Sequence, residues 1–476
     1  MGFTQVTFLF LFMPLSILVY FAAYCYFGRD IRVCNAVLIC EALVFYWWAE
    51  PKLLLFFISL TLFMYIMGKL IYRSRNANEK QSLMIFTIIL FIVLSVIYKY
   101  LPAMKIIAKD EQPVTVPLFT AMLVPMGIAF FVLSAISYIL DIYTDKAEPG
   151  SVTDVFFYSM MFPKAACGPV ALWRDFKPQI RERKTDLKRV SDGLSRIIIG
   201  YSKKAIIADT FASQIALIDA KVGANTTDSL TIWLLGLLYF FRIYYDFSGY
   251  SDIAIGLCSV FGFDIGENFN TPYLSTSLTD FWRGWHISLG RWFREYIYIP
   301  LGGNRSGNLY FNIFITFMIA SAWHGWKLNL LLWGALNALV VIAEKAMSRK
   351  DRETRMPVWL RTALTMLLVY FGWMLFRAAD MTSAAAIFKA LFVPVGDATP
   401  NFTWQFFLTK RIAVFLIIAA AGSFGLLRQL GKKLMDRMGS SKYDIAEKTL
   451  LLFLFAVSIM FVLSNSYTPF IYSLIP

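Results

Sequence analysis

Charge is scarce in this sequence: 16% of its 476 residues are Asp, Glu, Lys or Arg, where an ordinary soluble domain carries roughly 25%. Histidine is scarcer still, with only His286 and His324. Neither lies in an HExxH pattern, and Cys25, Cys34, Cys40, Cys167 and Cys258 form no CxxC pair. Neither a zinc site nor a disulfide framework is therefore indicated. A GxSxG nucleophile elbow is missing. From Gly425 to Gly431-Lys432-Lys433 there is one residue too many for a P-loop, and no Ser or Thr follows the lysine. These absences argue against an elbow-type hydrolase, a zinc peptidase and an ATPase, and no motif points to nucleic acid.

Apolar residues are abundant, at 58%, with 17% aromatics and a mean hydropathy of +0.60. Runs of roughly 20 apolar residues, the length that spans a bilayer, replace the expectation of several soluble domains. They lie at Val6–Phe27, Val33–Trp48, Leu53–Tyr72, Leu83–Leu101, Ala121–Tyr143, Ser229–Phe247, Asn308–Trp326, Leu328–Met347, Val358–Phe376, Thr403–Leu427 and Leu450–Tyr472. The first is too long for a signal-peptide core of about 7–15 residues and has no basic residue ahead of it, so it reads as a retained helix. Around Pro163, Lys164, Gly168 and Pro169 the chain is expected to re-enter rather than cross. The fold class is an all-α polytopic membrane protein of about eleven spans, one membrane domain with N-terminal helices over 1–147, a core over 148–347 and C-terminal helices over 348–476.

The formal charge is +14, and the basic residues collect in loops at Gly28–Arg32, Arg73–Lys80, Arg174–Lys204, Ser348–Arg355 and Arg428–Lys448. The positive-inside rule places these in the cytoplasm and both termini outside it. Within Arg174–Arg196, Phe176, Ile180, Leu187, Val190 and Leu194 recur near helical spacing, which predicts an interfacial helix.

Polar residues are densest from Tyr244 to Gly307. A helix over Leu278–Tyr296 gathers Leu278, Phe281, Trp282, Trp285, Leu289, Trp292, Phe293 and Tyr296 into one stripe with His286 at its edge. Taken alone, that is an interfacial aromatic helix. His324 differs, because it interrupts a run from Phe311 otherwise free of ionisable groups before Lys327. An intramembrane imidazole points to function, and a neutral one accepts a proton from a thiol or hydroxyl near neutral pH.

YDFSGYSDIAIG (Tyr245–Gly256), ENFNTPY (Glu267–Tyr273), FWRGWHISL (Phe281–Leu289), REYIYIPLGGNR (Arg294–Arg305) and AWHGW (Ala322–Trp326), flanked by FPKAACGPV (Phe162–Val170) and the terminal TPFIY (Thr468–Tyr472), make the chain resemble the membrane-bound O-acyltransferase (MBOAT) family, in its bacterial alginate O-acetyltransferase-like branch. The resemblance implies a ring of tilted transmembrane helices, with re-entrant and interfacial helices, around a thinned catalytic centre. It places the essential catalytic residue on His324 and its companion on His286. It also marks Trp323, Trp285, Trp282, Tyr245, Asp246, Asn268 and Arg291 as substrate-binding candidates. Arg283, Arg291, Arg294 and Arg305 hold either donor phosphates or anionic lipid headgroups.

No permanent cofactor and no metal are implied. The donor is acetyl-CoA, or a phosphopantetheine carrier thioester, and the acceptor is an extracytoplasmic polysaccharide reached through an SGNH hydrolase-like partner protein; membrane lipids are the remaining partner. A bacterial inner-membrane location follows. The motifs do not separate acetyl transfer from D-alanyl transfer toward teichoic acid, and a proton-coupled transporter or flippase is the alternative of another class.

Overall fold

A computed structural model describes residues 2–100, 127–164, 167–221, 228–305, 307–348, 356–393, 402–464 and 470. The start of the expected Ala121–Tyr143 span, most of the loop after Ser348, Ala165 and Ala166 and, Phe470 apart, the Thr468–Tyr472 motif lie outside those residues. Among the described residues the structure is helical, and its one isolated β-bridge joins Phe269 to Trp285.

Among the described residues, eight helices are long and apolar enough to cross a membrane: Phe8–Tyr26, Ile31–Ala49, Pro51–Arg73, Ala77–Ile97, Ser229–Val260, Leu328–Met347, Val358–Arg377 and Ser440–Ser464. Ile128–Tyr143, Leu309–His324 and Met381–Phe392 are shorter apolar helices. The chain forms two compact units, one of Met1–Ile197, Tyr250–Gly266 and Tyr472–Pro476, the other of Ile198–Gly249 and Glu267–Ile471.

The first unit contains α1 (Met13–Tyr26), α2 (Ile31–Ala49), α3 (Leu54–Arg73), α4 (Ala77–Tyr100), α5 (Ile128–Tyr143), α6 (Val152–Met160) and most of α7 (Leu187–Tyr201). Its core is aromatic, with Phe8, Phe12, Phe45 and Phe162 in mutual ring contact. Pairing offsets the cost of burying polar groups away from water at two places in this core: Thr61 bonds Ser159 at 3.0 Å, and Asp141 accepts from the Arg174 amide at 3.0 Å. Lys164 is buried with Nζ 3.9 Å from the centre of the Tyr158 ring and 5.1 Å from that of Phe176, a cation over two π faces. Burial brings its pKa down to about 7.

The predicted helix over Arg174–Arg196 is instead three pieces, Trp173–Phe176, Gln179–Glu182 and α7. Pro178, lacking an amide hydrogen, separates the first two, and Phe176 and Ile180 enter the core while Leu187 and Leu194 stay exposed.

The second unit contains α8 (Asp209–Lys221), most of α9 (Ser229–Val260), α10 (Leu278–Gly284), α11 (Ile287–Phe293), α12 (Leu309–His324), α13 (Leu328–Ser348), α14 (Val358–Arg377), α15 (Met381–Phe392), α16 (Lys410–Ser423), α17 (Leu426–Met438) and α18 (Ser440–Ser464). Three expectations change here. The span from Ser229 does not stop at Phe247 but runs on to Val260, so the YDFSGYSDIAIG motif is helical. Its glycines allow close helix contact: a Cβ on Gly249 would lie 2.8 Å from the Gly200 carbonyl oxygen, and one on Gly256 would lie 2.6 Å from that of Gly193. The expected Thr403–Leu427 span is broken, because Thr409 caps α16 through the Ile412 amide and Gly425, at φ 69°, turns the chain before α17. The helix over Leu278–Tyr296 is interrupted at His286, whose φ of 47° and ψ of 52° are left-handed.

Candidate functional site

The second unit brings the ENFN, WHIS and WHG motifs together. Asn270 donates its amide to the Gly284 carbonyl at 2.9 Å, and Ile287 to that of Asn268 at 3.0 Å, on either side of the Phe269–Trp285 bridge. A Cβ on Gly284 would lie 2.7 Å from the Asn270 oxygen, so this approach needs a glycine. The pairing fixes the backbone of His286, which holds a conformation that non-glycine residues rarely adopt.

The His286 side chain is buried, 3% exposed. Its Nδ1 lies 3.1 Å from Asn268 Oδ1, an oxygen that also accepts from the Ser288 amide at 3.3 Å and from Ser288 Oγ at 2.8 Å. An amide N–H can only donate, so the Asn268 atom facing it is the oxygen, and His286 Nδ1 must carry hydrogen. In the neutral ring the lone pair then belongs to Nε2. Burial, with a smaller push from the like charge of His324, holds the imidazole well below its ordinary pKa. The ring is therefore neutral near pH 7, and Phe247 stands against it at 82° and 4.5 Å.

His324 is the last residue of α12 and is 8% exposed. Asn308 fixes where that helix starts by accepting the Tyr310 and Phe311 amides, and sixteen steps of about 1.5 Å carry the imidazole roughly 24 Å from the cap. Trp323, Trp333 and Phe376 meet the ring edge to face at 72°, 88° and 83°. These rings enclose the imidazole in an aromatic collar.

Helix α13 holds both histidine segments. The Glu344 carboxylate accepts the Leu278 amide at 2.7 Å, the Thr279 amide at 2.9 Å and Thr279 Oγ1 at 2.5 Å, capping α10. Asn337 Oδ1 accepts from Trp282 Nε1 at 3.1 Å while its Nδ2 donates to the Trp333 carbonyl. At the other end of α13, Ser321 of α12 donates to the Leu330 carbonyl. Glu344, Asn337 and Trp333 escaped the sequence reading: one acid at the end of an apolar run gives no sign of the helix it caps.

The remaining candidates fall into distinct places. Trp285 is buried among Phe281, Trp373 and Phe269, and Trp282 meets Trp333 and Phe317; both are wall rings. Tyr245 donates to the Ala419 carbonyl at 2.8 Å. Asp246, 1% exposed, accepts from Lys204 Nζ at 2.6 Å, and the same ammonium lies 2.7 Å from Asp209. Lys204 closes the basic stretch Arg174–Lys204 that the positive-inside rule places in a cytoplasmic loop, yet it is fully buried. Its reach to Asp246 depends on a π-helical stretch, Ser202–Ala208, that sequence does not announce. Arg291, Arg283, Arg294 and Arg305 are all exposed.

The profile of the MBOAT, membrane-bound O-acyltransferase, family matches residues 43–383. Among curated proteins, the "Probable alginate O-acetylase AlgI" of Pseudomonas putida is 33% identical over 99% of each chain. The "Peptidoglycan O-acetyltransferase" of Helicobacter pylori is 29% identical, covering 81% of this chain and 78% of its own. The "Teichoic acid D-alanyltransferase" of Bacillus subtilis is 25% identical over 47% of this chain and 60% of its own.

Proposed function

The chain belongs to the membrane-bound O-acyltransferase family, in its alginate O-acetylase-like branch, and from that premise we propose that it passes an acetyl group from a thioester donor toward an extracytoplasmic polysaccharide. The observation that carries the reading is the pair of buried imidazoles in one unit, linked through the touching rings of Trp285, Trp373 and Phe376, with Asn268 leaving His286 Nε2 as the basic nitrogen.

In the proposed reaction His324 takes the proton of the acceptor hydroxyl as its oxygen attacks the thioester carbonyl. The new C–O bond forms, the C–S bond breaks, and the proton passes to the departing thiolate. His286 positions the thioester or relays that proton. Trp323, Trp282 and Trp285 wall the reacting groups, and the exposed arginines Arg283, Arg291, Arg294 and Arg305 attract the donor's phosphates. Tyr245 and Asp246, tied to Ala419 and Lys204, hold the wall in place rather than touch substrate. The donor is cytoplasmic acetyl-CoA or a phosphopantetheine carrier, the enzyme sits in the bacterial inner membrane with both termini outside the cytoplasm, and an SGNH hydrolase-like protein completes delivery to the polymer.

Acetyl is favoured over D-alanyl because the acetyltransferase relatives align over 81–99% of this chain and the D-alanyltransferase over 47%. The test is donor choice: purified enzyme in liposomes is given labelled acetyl-CoA or a D-alanyl carrier, and transfer to an added hydroxyl acceptor is followed. Acetyl transfer without D-alanyl transfer is the expected result; the reverse overturns the acetyl assignment.

A further inference from the structure

Helix α17 has no use in the proposed transfer, yet its pattern is sharply two-sided. At about 100° per residue, Leu426, Leu427, Leu430, Leu434, Met435 and Met438 share one half of its circumference. Gln429, Lys432, Lys433 and Asp436 share the other, while Arg437 falls within the apolar half, between Leu426 and Leu430. All six apolar side chains are exposed, at 41–55%, among the described residues. Glycines at both ends, Gly425 at φ 69° and Gly439 at φ 78°, turn the chain out of α16 and into α18.

These neighbours say what the covering material is. Helix α18 is a candidate span with only 11% of its apolar window buried, and its exposed Leu450, Leu452, Phe453, Met460 and Leu463 form the kind of surface that a spanning helix turns to lipid. The apolar residues of α16 from Ile412 to Ala421 do likewise at Val414, Ile417 and Ile418. A helix set between two lipid-facing segments, apolar on one half, with four basic residues against one acidic, matches a bilayer surface rather than water.

We propose that α17 lies in the plane of the membrane, its leucine and methionine half among the acyl chains and its basic half on anionic phospholipid headgroups. The enzyme would thereby select anionic lipid at this edge. Each surface cation near such a headgroup layer contributes on the order of fivefold in lipid preference at moderate ionic strength.

The experiment compares full-length wild type, K432Q/K433Q and K410Q/R411Q, the last removing two exposed charges at the start of α16. Each is purified from, or incubated with, equimolar phosphatidylglycerol and phosphatidylcholine, and retained lipid is quantified by mass spectrometry. Wild type is expected to retain more phosphatidylglycerol, K432Q/K433Q to lose most of that preference, and K410Q/R411Q to keep it. Equal loss in both variants, or none in K432Q/K433Q, overturns the proposal. Salt gives a test that needs no variant: the preference should fade between 0.1 and 1 M as the screening length shrinks from about 10 to 3 Å, and a salt-independent preference also overturns it. If L430S/L434S converts a wild-type dimer to a monomer, the face joins two copies and the lipid assignment fails.

Discussion

At the scale of single residues, the part proposed for His286 depends on which of its nitrogens holds a proton, and the Asn268 oxygen beside Nδ1 sets that. Replacing it with Asp puts a carboxylate beside Nδ1–H, which favours the imidazolium and raises the pKa by about 1–3 units. Asn268→Asp is expected to move the acid limb of the kcat–pH profile upward; an unmoved limb contradicts the positioning role. Lys164 yields a prediction about stability. Its folded pKa of about 7 lies below the unfolded value of about 10.4, so unfolding takes up a proton between those pH values and the residue weakens the fold as pH falls toward 7. Lys164→Met is expected to leave the unfolding free energy at pH 7 unchanged or raised by about 1 kcal/mol, and to flatten the dependence of Tm on pH between 7 and 9. A lower Tm rescued by Lys164→Arg would show that the charge is required. His324 was legible because it breaks an apolar run. The role of Asn268 was not, because a backbone bridge brings together residues eighteen apart.

Among the elements, α13 is the template. Glu344 holds the start of α10 and Asn337 holds Trp282 of the same helix, while α12 leans on Leu330. Removing the carboxylate strips three hydrogen bonds from a helix N-terminus, and a displacement near 1 Å at a reacting group costs roughly 100-fold. Glu344→Ala is therefore expected to lower kcat by tenfold or more with little change in donor KM, with partial recovery in Glu344→Gln. A changed KM at constant kcat would place Glu344 in binding instead. The periodicity of Leu278–Tyr296 predicted one helix because its apolar spacing continues through the break: Leu278, Phe281, Trp285, Leu289 and Trp292 are all buried. What sequence does not encode visibly is a left-handed histidine, since a positive φ is ordinarily announced by Gly or Asn. By contrast, α12 could be read from Asn308 onward, because cap and apolar run agree.

For the whole molecule, hydropathy located the long spans well, and the departures come where polar pairing overrides it. Helix α9 runs past Phe247 because Asp246 is matched by Lys204 and Arg196 lies 3.0 Å from Asp252, which makes a charged stretch compatible with a helical core. The basic balance of the sequence was read as loop charge, whereas part of it, at Lys164, Arg183 and Lys204, is buried. The membrane topology that follows from the exposed loops predicts that cysteines introduced near Lys432 react with an impermeant maleimide only after the inner membrane is opened; labelling in intact cells would reverse the assigned orientation. The central claim, a buried histidine that activates the acceptor, is tested most directly by comparing wild type and His324→Ala in proteoliposomes supplied with labelled acetyl-CoA and acceptor, after equal folding has been established by thermal unfolding. The predicted result is a fall of roughly 100- to 10,000-fold in acetyl transfer, and transfer undiminished in His324→Ala would contradict the account.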